Sequence, residues 1–262
     1  MGGPGSVSPV SERGADSARS VYEQVLGAEV ASLHPQLRRY FGRIPAGFVG
    51  RGEGVYAWAG PRHRALWPAF AWLAWRQVLF PERGREVPFT VLNTPAGGGG
   101  LAGRREFAFP RVTRVVVDTM SAEPDSDGTM RLVDRLGRRR GLEVELALRV
   151  HDGGLRMRST RLWLRMRLPA PRARVAAPVR VAPVRLAPAR VAPVRVAAPL
   201  RVVRVPLPRL VTMTLDERAH PHGDGRQCVD VRLRAPLLGD VFRYVGEFRY
   251  ALVPVGGADD AG

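Results

Sequence analysis

From Val87 onward, segments in which every second residue is apolar follow one another with no helical pattern between them, and a further segment of this kind lies earlier, at Phe48–Ala59. The clearest is LEVELALRV at residues 142–150, whose apolar side chains all fall on one face of an extended strand. Turn residues such as Asp127-Gly128 and Asp152-Gly153 separate the segments. This pattern predicts an antiparallel meander curled into a barrel-like or half-barrel sheet. The predicted strands are Phe48–Ala59, Val87–Asn93, Arg105–Phe109, Arg114–Ser121, Met130–Leu136, Leu142–His151, Leu155–Met166, Leu210–Leu215, Gln227–Arg234 and Phe242–Val253.

Two helices are predicted before the strands. Ser20 and Glu23 have the spacing of a capping box, in which each side chain accepts a hydrogen bond from the backbone N–H of the other residue. Apolar residues then recur at helical spacing as far as Leu33. Pro35 ends that helix or starts a short second one that reaches Phe41. With the strands, these helices indicate the α+β class, and we expect them to cover one end or one face of the sheet.

The most apolar segment is PAFAWLAWRQVLF at residues 68–80, which begins with a proline suited to the first position of a helix. A helix of this length spans about 20 Å, short of the hydrocarbon core of a bilayer, which is about 30 Å thick. A helix in the core, or forming a wall of it, is the favoured interpretation. The alternative is an amphipathic segment lying on a membrane, because Trp72 and Trp75 lie beside an edge that carries Arg76.

A five-residue repeat, PVR-VAPVR-LAPAR-VAPVR, occupies residues 178–195. Each unit contains a proline, which removes a donor from a β-ladder. A period of five also fails to bring the arginines to one side of a strand, an α-helix or a polyproline II helix. Residues 171–205 are therefore predicted to be an extended, mobile, disordered Pro/Arg-rich insertion of low complexity between two strands.

The predicted organisation is one domain interrupted by that insertion. Residues 1–18 are rich in Gly, Ser and Pro and predict a disordered tail. The single α+β domain comprises residues 19–170 and 206–255, and residues 256–262 are a second tail.

The net charge of +17 suggests a nucleic-acid-binding protein at first sight. All 41 basic residues are arginine, and 14 of them lie at residues 153–215, where there is no Asp or Glu. The rest of the chain has 27 arginines and 24 acids, so its charge is nearly balanced. What remains is the hypothesis of a weak, non-specific electrostatic tether to anionic lipid or nucleic acid. Its contacts would be Arg180, Arg185, Arg190 and Arg195.

The expected location is the cytoplasm. The single cysteine, Cys228, excludes an intrachain disulfide and fits a reducing compartment. Residues 1–19 lack the apolar core of a signal peptide. Nothing in the chain reaches the about 20 continuous apolar residues of a membrane-spanning helix.

Four blocks of sequence resemble a bacterial family known as domain of unknown function 4166. They are residues 20–42, LFPERGREVPFTVL at 79–92, LVDRLG at 132–137 and APLLGDVFRYVGEF at 235–248. The resemblance implies an α+β domain with much antiparallel strand. It also implies that the domain occurs either alone or joined to oxidoreductase-like domains in high-GC bacteria. An oxidoreductase-type partner is therefore one possibility. The resemblance supplies neither an activity nor established catalytic residues.

The chain departs from the family pattern in two places. Gly103-Arg104 stand where an aromatic residue usually precedes the Arg-x-Phe-x-Phe-Pro pattern. The repeat expands a region that is normally short, between Leu168-Pro169 and Leu207-Pro208.

The densest polar motif is PERGRE, which follows the apolar helix. Arg83 and Arg85 are candidates for holding an anionic ligand by paired hydrogen bonds, with Glu82 and Arg76 beside them. The alternative is a helix-to-strand turn in which Glu82 and Glu86 pair with neighbouring arginines.

Other polar residues predict structural roles. His34 is expected to cap a helix or lie at the surface, because no orienting carboxylate is assignable to it. His220, His222, Asp224 and Cys228 are metal-ligand residue types, but a second paired motif is missing, so no metal site is predicted. No cofactor is predicted either, since the glycine-rich segments lack the context of a nucleotide-binding loop.

Three classes of function are open on this reading. A non-enzymatic module that binds a small apolar or amphipathic ligand, or another protein, is favoured, because a curved sheet closed by an apolar helix leaves room for a cavity. The second is an uncharacterised enzyme, or an accessory domain of an oxidoreductase, with its polar site near Glu82, Arg83 and Arg85. The third is the electrostatic tether formed by the repeat.

Overall fold

The computed structural model describes residues 19–169, 200–208 and 210–256. The helices are α1 (Val21–Leu26), α2 (Pro35–Phe41) and α3 (Trp67–Trp75), with short 3-10 helices at Gly27–Ser32, Arg64–Leu66 and Gly97–Gly99. The strands are β1 (Phe48–Pro61), β2 (Val87–Ala96), β3 (Gly100–Phe109), β4 (Val112–Pro124), β5 (Met130–Leu136), β6 (Leu142–His151), β7 (Gly154–Pro169), β8 (Leu200–Pro206), β9 (Thr212–Ala219), β10 (Arg226–Ala235) and β11 (Gly239–Pro254).

These strands form one antiparallel sheet that closes on itself. The order is β6-β5-β4-β3-β2-β1-β11-β10-β9-β7-β8, and β6 also pairs with β7, which joins the two sides of the sheet. Ten strands therefore make a barrel, and β8 pairs with β7 outside that ring. The predicted α+β class, with a curved, mostly antiparallel sheet and two N-terminal helices, is confirmed.

The N-terminal helices cover one end of the barrel. α1 contacts β4, β5 and β6, and α2 contacts β9. Ser20 caps α1 through the predicted capping box, since its Oγ accepts from the N–H of Glu23 and the Glu23 carboxylate accepts from the N–H of Ser20. α1 ends at Leu26, before Gly27, and continues only as a 3-10 helix, so the single long helix predicted up to Leu33 is wrong.

α3 crosses the opposite end of the barrel. It lies in the connection between β1 and β2 and contacts β4, and the N–H of Val117 on β4 donates to the carbonyl of Gln77 just beyond the helix. The helix ends at Trp75 rather than at the predicted Phe80. The reason is the tight turn after it, in which Gln77 adopts a φ of 59°. Phe80 then packs against Phe107 with ring centres 4.5 Å apart.

β7 and β8 form an arm that extends past the barrel at the α3 end. β6 begins at Leu142, opposite Leu164, and the residues of β7 beyond that point pair with β8 alone. Residues 200–205, predicted as part of the extended insertion, are therefore strand. The repeat, with Arg180, Arg185, Arg190 and Arg195, lies outside the described residues, as do residues 1–18 and 257–262.

A buried carboxylate joins the arm to the barrel wall. Glu143 on β6 is 1 % exposed, although it lies on the outer face of the strand. Its Oε2 accepts from Arg135 Nε at 3.0 Å and lies 3.1 Å from Arg165 Nε, and its Oε1 pairs with Arg204 of β8. The Arg204 guanidinium also stacks 4.6 Å from the Trp163 ring centre, which closes the cluster from outside.

Candidate interior ligand site

A cavity of about 510 Å³ lies inside the barrel, beneath α3. Barrels of eight strands are just filled by side chains or hold one small ligand, and ten strands enclose more space. Aromatic rings fill the side formed by β1, β2, β3 and β11, where Tyr56 stacks on Phe89 with ring centres 3.6 Å apart. The space on the other side stays open. Its volume lies within the range of about 300–1,000 Å³ that is usual for small-molecule pockets.

The cavity wall is largely apolar. Strands contribute alternate residues to it because their side chains point inward at every second position. The apolar lining residues include Leu66, Phe70, Leu73, Val78, Val116, Met120, Leu136, Leu142, Val144, Leu146, Met157, Val211, Met213, Leu215, Val231, Leu233 and Val241.

A buried ion pair forms the first part of the polar lining. Arg105 on β3 donates from Nη1 to Oδ2 of Asp118 on β4, and their side chains are 16 % and 4 % exposed. Burial lowers the pKa of Arg105, but Asp118 and the nearby tyrosines outweigh it, so the guanidinium pKa is raised and the group stays charged. A Cβ at Gly103 would collide with Asp118 Oδ1. Glycine at position 103 therefore makes room for this carboxylate.

Asp134 on β5 is the second polar group of the lining. It is 5 % exposed, and its Oδ1 has no hydrogen-bond partner among the described residues. Burial, followed by the negative charge of Asp118, raises the pKa of Asp134 well above its ordinary value. A buried acceptor without a partner costs free energy, so a donor brought by a ligand would be favoured at this atom.

Glu217 on β9 and Tyr244 on β11 complete the interior polar set. Glu217 accepts a hydrogen bond of 3.2 Å from Gln227 Nε2, and burial raises its pKa to about 8 despite the opposing charge of Arg105. Tyr244 lines the cavity, and burial raises its pKa to about 12. The interior thus holds the Arg105–Asp118 pair and two further carboxyl groups, Asp134 and Glu217, whose pKa values are raised toward the neutral form.

The cavity opens where α3 meets a break in the wall. β8 ends at Pro206 and β9 begins at Thr212, and between them Leu210 and Val211 line the cavity together with residues 159–162 of β7. At this break the Met213 N–H donates to Ser159 Oγ at 2.9 Å instead of to a backbone carbonyl. The mouth therefore lies between α3, this break and the β10–β11 turn.

The residues proposed from the sequence as a ligand site do not line this cavity. Glu82 accepts hydrogen bonds of 2.7 and 2.5 Å from Arg114 on β4, as in the alternative of a turn held by ion pairs. Arg83 and Arg85 are exposed, and Arg76 stacks 4.8 Å from the ring centre of Trp72. A ligand in the barrel is not held by these four residues, and a separate site formed by them stays a prediction.

His34 has the capping role expected of it, and His220 lies beside two carboxylates. His34 is the N-cap of α2 and accepts from the N–H of Gln36 through Nδ1. His220 lies 3.1 Å from Glu247 and 3.7 Å from Asp224, in the turn between β9 and β10. Within residues 19–169, 200–208 and 210–256, no group of three or more His, Cys, Asp or Glu is arranged to hold a metal ion.

The interior polar residues were missed because they come from separate strands. A sequence pattern that indicates them was nevertheless present, because each of the three interior carboxyl residues follows an apolar residue two positions earlier on the same face of its strand. Val116-x-Asp118-x-Met120 and Leu132-x-Asp134-x-Leu136 place a carboxyl on an apolar face, and Glu217 follows Leu215 in the same way. A charge on the inward face of a strand is the pattern that identifies this site.

A family model described as "Domain of unknown function (DUF4166)" matches residues 33–182 and 191–248. The chain belongs to this family. The DUF4166 match is interrupted only at residues 183–190, inside the repeat. The match also covers β8 and the strands that carry Arg105, Asp118, Asp134 and Glu217.

None of the curated proteins compared with this DUF4166 chain matches it. In the described part of the chain, every helix is too short or too polar to cross a membrane.

Proposed function

We propose that this protein binds a small amphipathic molecule inside the barrel, with an apolar body in the cavity and a hydrogen-bond donor at Asp134. The observation that carries the proposal is the unpartnered, buried Oδ1 of Asp134 in the wall of an otherwise apolar cavity. Apolar pockets with a few convergent polar groups are typical of ligand sites. The apolar wall supplies binding energy, and the carboxyl fixes the orientation of the ligand.

The charges of the interior select the head group. The guanidinium of Arg105 is already paired with Asp118. The other arginine of the lining, Arg161, is exposed and lies 3.8 Å from Glu145. The acidic or basic side chain left for a ligand inside the cavity is therefore Asp134. An ammonium head favours the ionised form of Asp134 and donates to it, and a hydroxyl donates to its free Oδ1, whereas a carboxylate head brings no donor to this atom and would lie beside a second carboxyl, Asp118. We therefore expect the order decylamine, decanol, decanoate, from tightest to weakest.

Filling the cavity should abolish binding. Leu146 of β6 is buried and lines the cavity, while the next residue, Ala147, is exposed on the outer face of the same strand. We expect Leu146→Trp to weaken decylamine binding by more than about tenfold, measured by isothermal titration calorimetry, because the indole occupies the space of the alkyl chain. Ala147→Trp is the matched control and should bind as the wild type does.

If Leu146→Trp fails to fold, Leu136→Trp at the mouth repeats the test at a position that is only half-buried. Wild-type affinity in a folded cavity-filling variant would show that the alkyl chain binds elsewhere and would exclude the proposed site.

Replacing the ionisable carboxyl of Asp134 by an amide should change the selectivity between head groups. An alkylammonium head favours the ionised form of Asp134, and Asp134→Asn keeps an acceptor oxygen but cannot ionise, so a charge-assisted hydrogen bond becomes a neutral one. We expect decylamine binding to weaken by about tenfold and decanol binding to change by less than about threefold. The affinities for both compounds are measured by calorimetry at pH 7. An equal loss for both would assign Asp134 a role in packing only.

A further inference from the structure

We propose that the α3 end of the barrel docks on the surface of an anionic phospholipid bilayer. The docking surface is a rim around the cavity mouth formed by Trp67, Trp72, Trp75, Leu237, Leu238, Arg138 and Arg139. This proposal goes beyond ligand binding, because it identifies the bilayer surface from which a ligand would enter the cavity.

The rim exposes large apolar side chains. Trp67, Trp72 and Trp75 of α3 are 58 %, 51 % and 53 % exposed, so the helix turns bulky rings outward as well as toward the cavity. Across the mouth, the β10–β11 turn presents Leu237, which is 97 % exposed, and Leu238. The side chain of His63 lies 3.0 Å from the carbonyl of Leu238 and connects the two sides. Tryptophan and leucine on one surface are typical of segments that enter the interface of a bilayer.

Arginines surround these rings without neutralising partners. The guanidinium of Arg138 lies 5.1 Å from the ring centre of Trp75, and that of Arg139 lies 5.5 Å from it. Both side chains are in the exposed β5–β6 turn, and neither forms an ion pair with a described residue. Arginine beside tryptophan fits the headgroup region, where the ring reaches the acyl boundary and the guanidinium binds phosphate.

Charge is distributed unevenly between the two ends of the barrel. The described connections at the α3 end are residues 62–86, 110–111, 137–141, 207–208, 210–211 and 236–238, and they contain nine arginines and two glutamates. The connections and helices at the opposite end, at 19–47, 97–99, 125–129, 152–153 and 220–225, contain four arginines and six acids. An anionic surface therefore orients the protein with its cavity mouth toward the lipid.

The chemistry of the rim favours lipid over nucleic acid. Leu237 and Leu238 are aliphatic and have no flat face on which a base could stack, whereas acyl chains solvate them. Leu238 also lines the cavity, so the surface that would enter the bilayer is continuous with the interior site. An amphipathic ligand would pass between membrane and barrel without crossing water.

A matched pair of double variants tests the docking. Vesicles contain three parts phosphatidylcholine and one part phosphatidylglycerol, and binding of the full chain is measured by co-sedimentation at physiological salt. We expect R138Q/R139Q to lower the partition coefficient by about tenfold or more. R38Q/R39Q removes the same charge from exposed positions on α2, at the opposite end, and should reduce binding by less than about threefold.

Further measurements separate the alternatives. W72A/W75A should lose most of its binding, and the tryptophan emission of the wild type should shift to shorter wavelength on these vesicles but not on pure phosphatidylcholine. Leu146→Trp should keep vesicle binding, because docking does not need an open cavity. Equal effects of the two arginine pairs, or no effect of either, would overturn the proposal. Tighter binding to duplex DNA than to vesicles, lost in R138Q/R139Q, would assign the rim to nucleic acid instead.

Discussion

Replacing Glu143 by glutamine should lower the free energy of unfolding by about 3 kcal/mol, because it removes the shared partner of three arginines. The carboxylate is 1 % exposed and contacts Arg135, Arg165 and Arg204. This loss of unfolding free energy lies at the low end of the range for breaking buried ion pairs, because the arginine side chains are 19–39 % exposed and water can reach them. Urea unfolding measures the effect as a shift in midpoint at unchanged slope.

Glu106→Gln is the matched control for Glu143. Glu106 lies on β3 and pairs with Arg104 at 2.5 Å, but its side chain is 38 % exposed. A surface pair of this kind contributes about 0–1 kcal/mol, so the control should unfold close to the wild type. Similar shifts for both variants would mean that the Glu143 cluster does not hold the arm to the barrel.

Replacing Glu217 by glutamine should change how stability depends on pH. The folded protein raises the pKa of Glu217 to about 8 from an ordinary value near 4.5. Between these values the unfolded chain releases the proton and the folded chain keeps it. The stability associated with this group is therefore fully present below pH 4.5 and is lost as the pH rises to 8, at about 1.4 kcal/mol per pH unit.

We expect Glu217→Gln to match the wild type near pH 4.5 and to be more stable by about 3–5 kcal/mol at pH 8. Urea unfolding at several pH values gives the difference between the free energies of unfolding of the two proteins. Groups such as Asp134 titrate in both proteins, so their contributions cancel in this difference. The control is Glu53→Gln, because the Glu53 side chain is 60 % exposed and its removal should leave the curve parallel to that of the wild type. A constant offset for Glu217→Gln would show that this residue is not protonated in the fold.

The strand pattern was predictable because each strand faces the interior on one side and water on the other. β5 and β6 have the predicted ends, and both N-terminal helices lie where capping and proline signals indicated. The sequence left open whether the sheet closes fully or forms a half-barrel, since the β6–β7 pairing depends on the summed curvature of ten strands rather than on any one segment. β8 was missed because its valines and arginines continue the composition of the repeat.

The site was harder to predict than the fold. The polar motif that stands out in the sequence, around Glu82, forms a surface ion pair with Arg114. The interior residues Arg105, Asp118 and Asp134 are individually unremarkable, and their meaning comes from the barrel, which turns three neighbouring strands toward one cavity. Burial then changes their chemistry through desolvation, which no local sequence pattern reports.

A crystal structure of the protein grown with decylamine tests the interior site directly. We expect an alkyl chain in the cavity beneath α3, with its nitrogen within hydrogen-bond distance of Asp134 Oδ1. A cavity that stays empty at saturating decylamine, or an amine bound only at the outer surface, would contradict it.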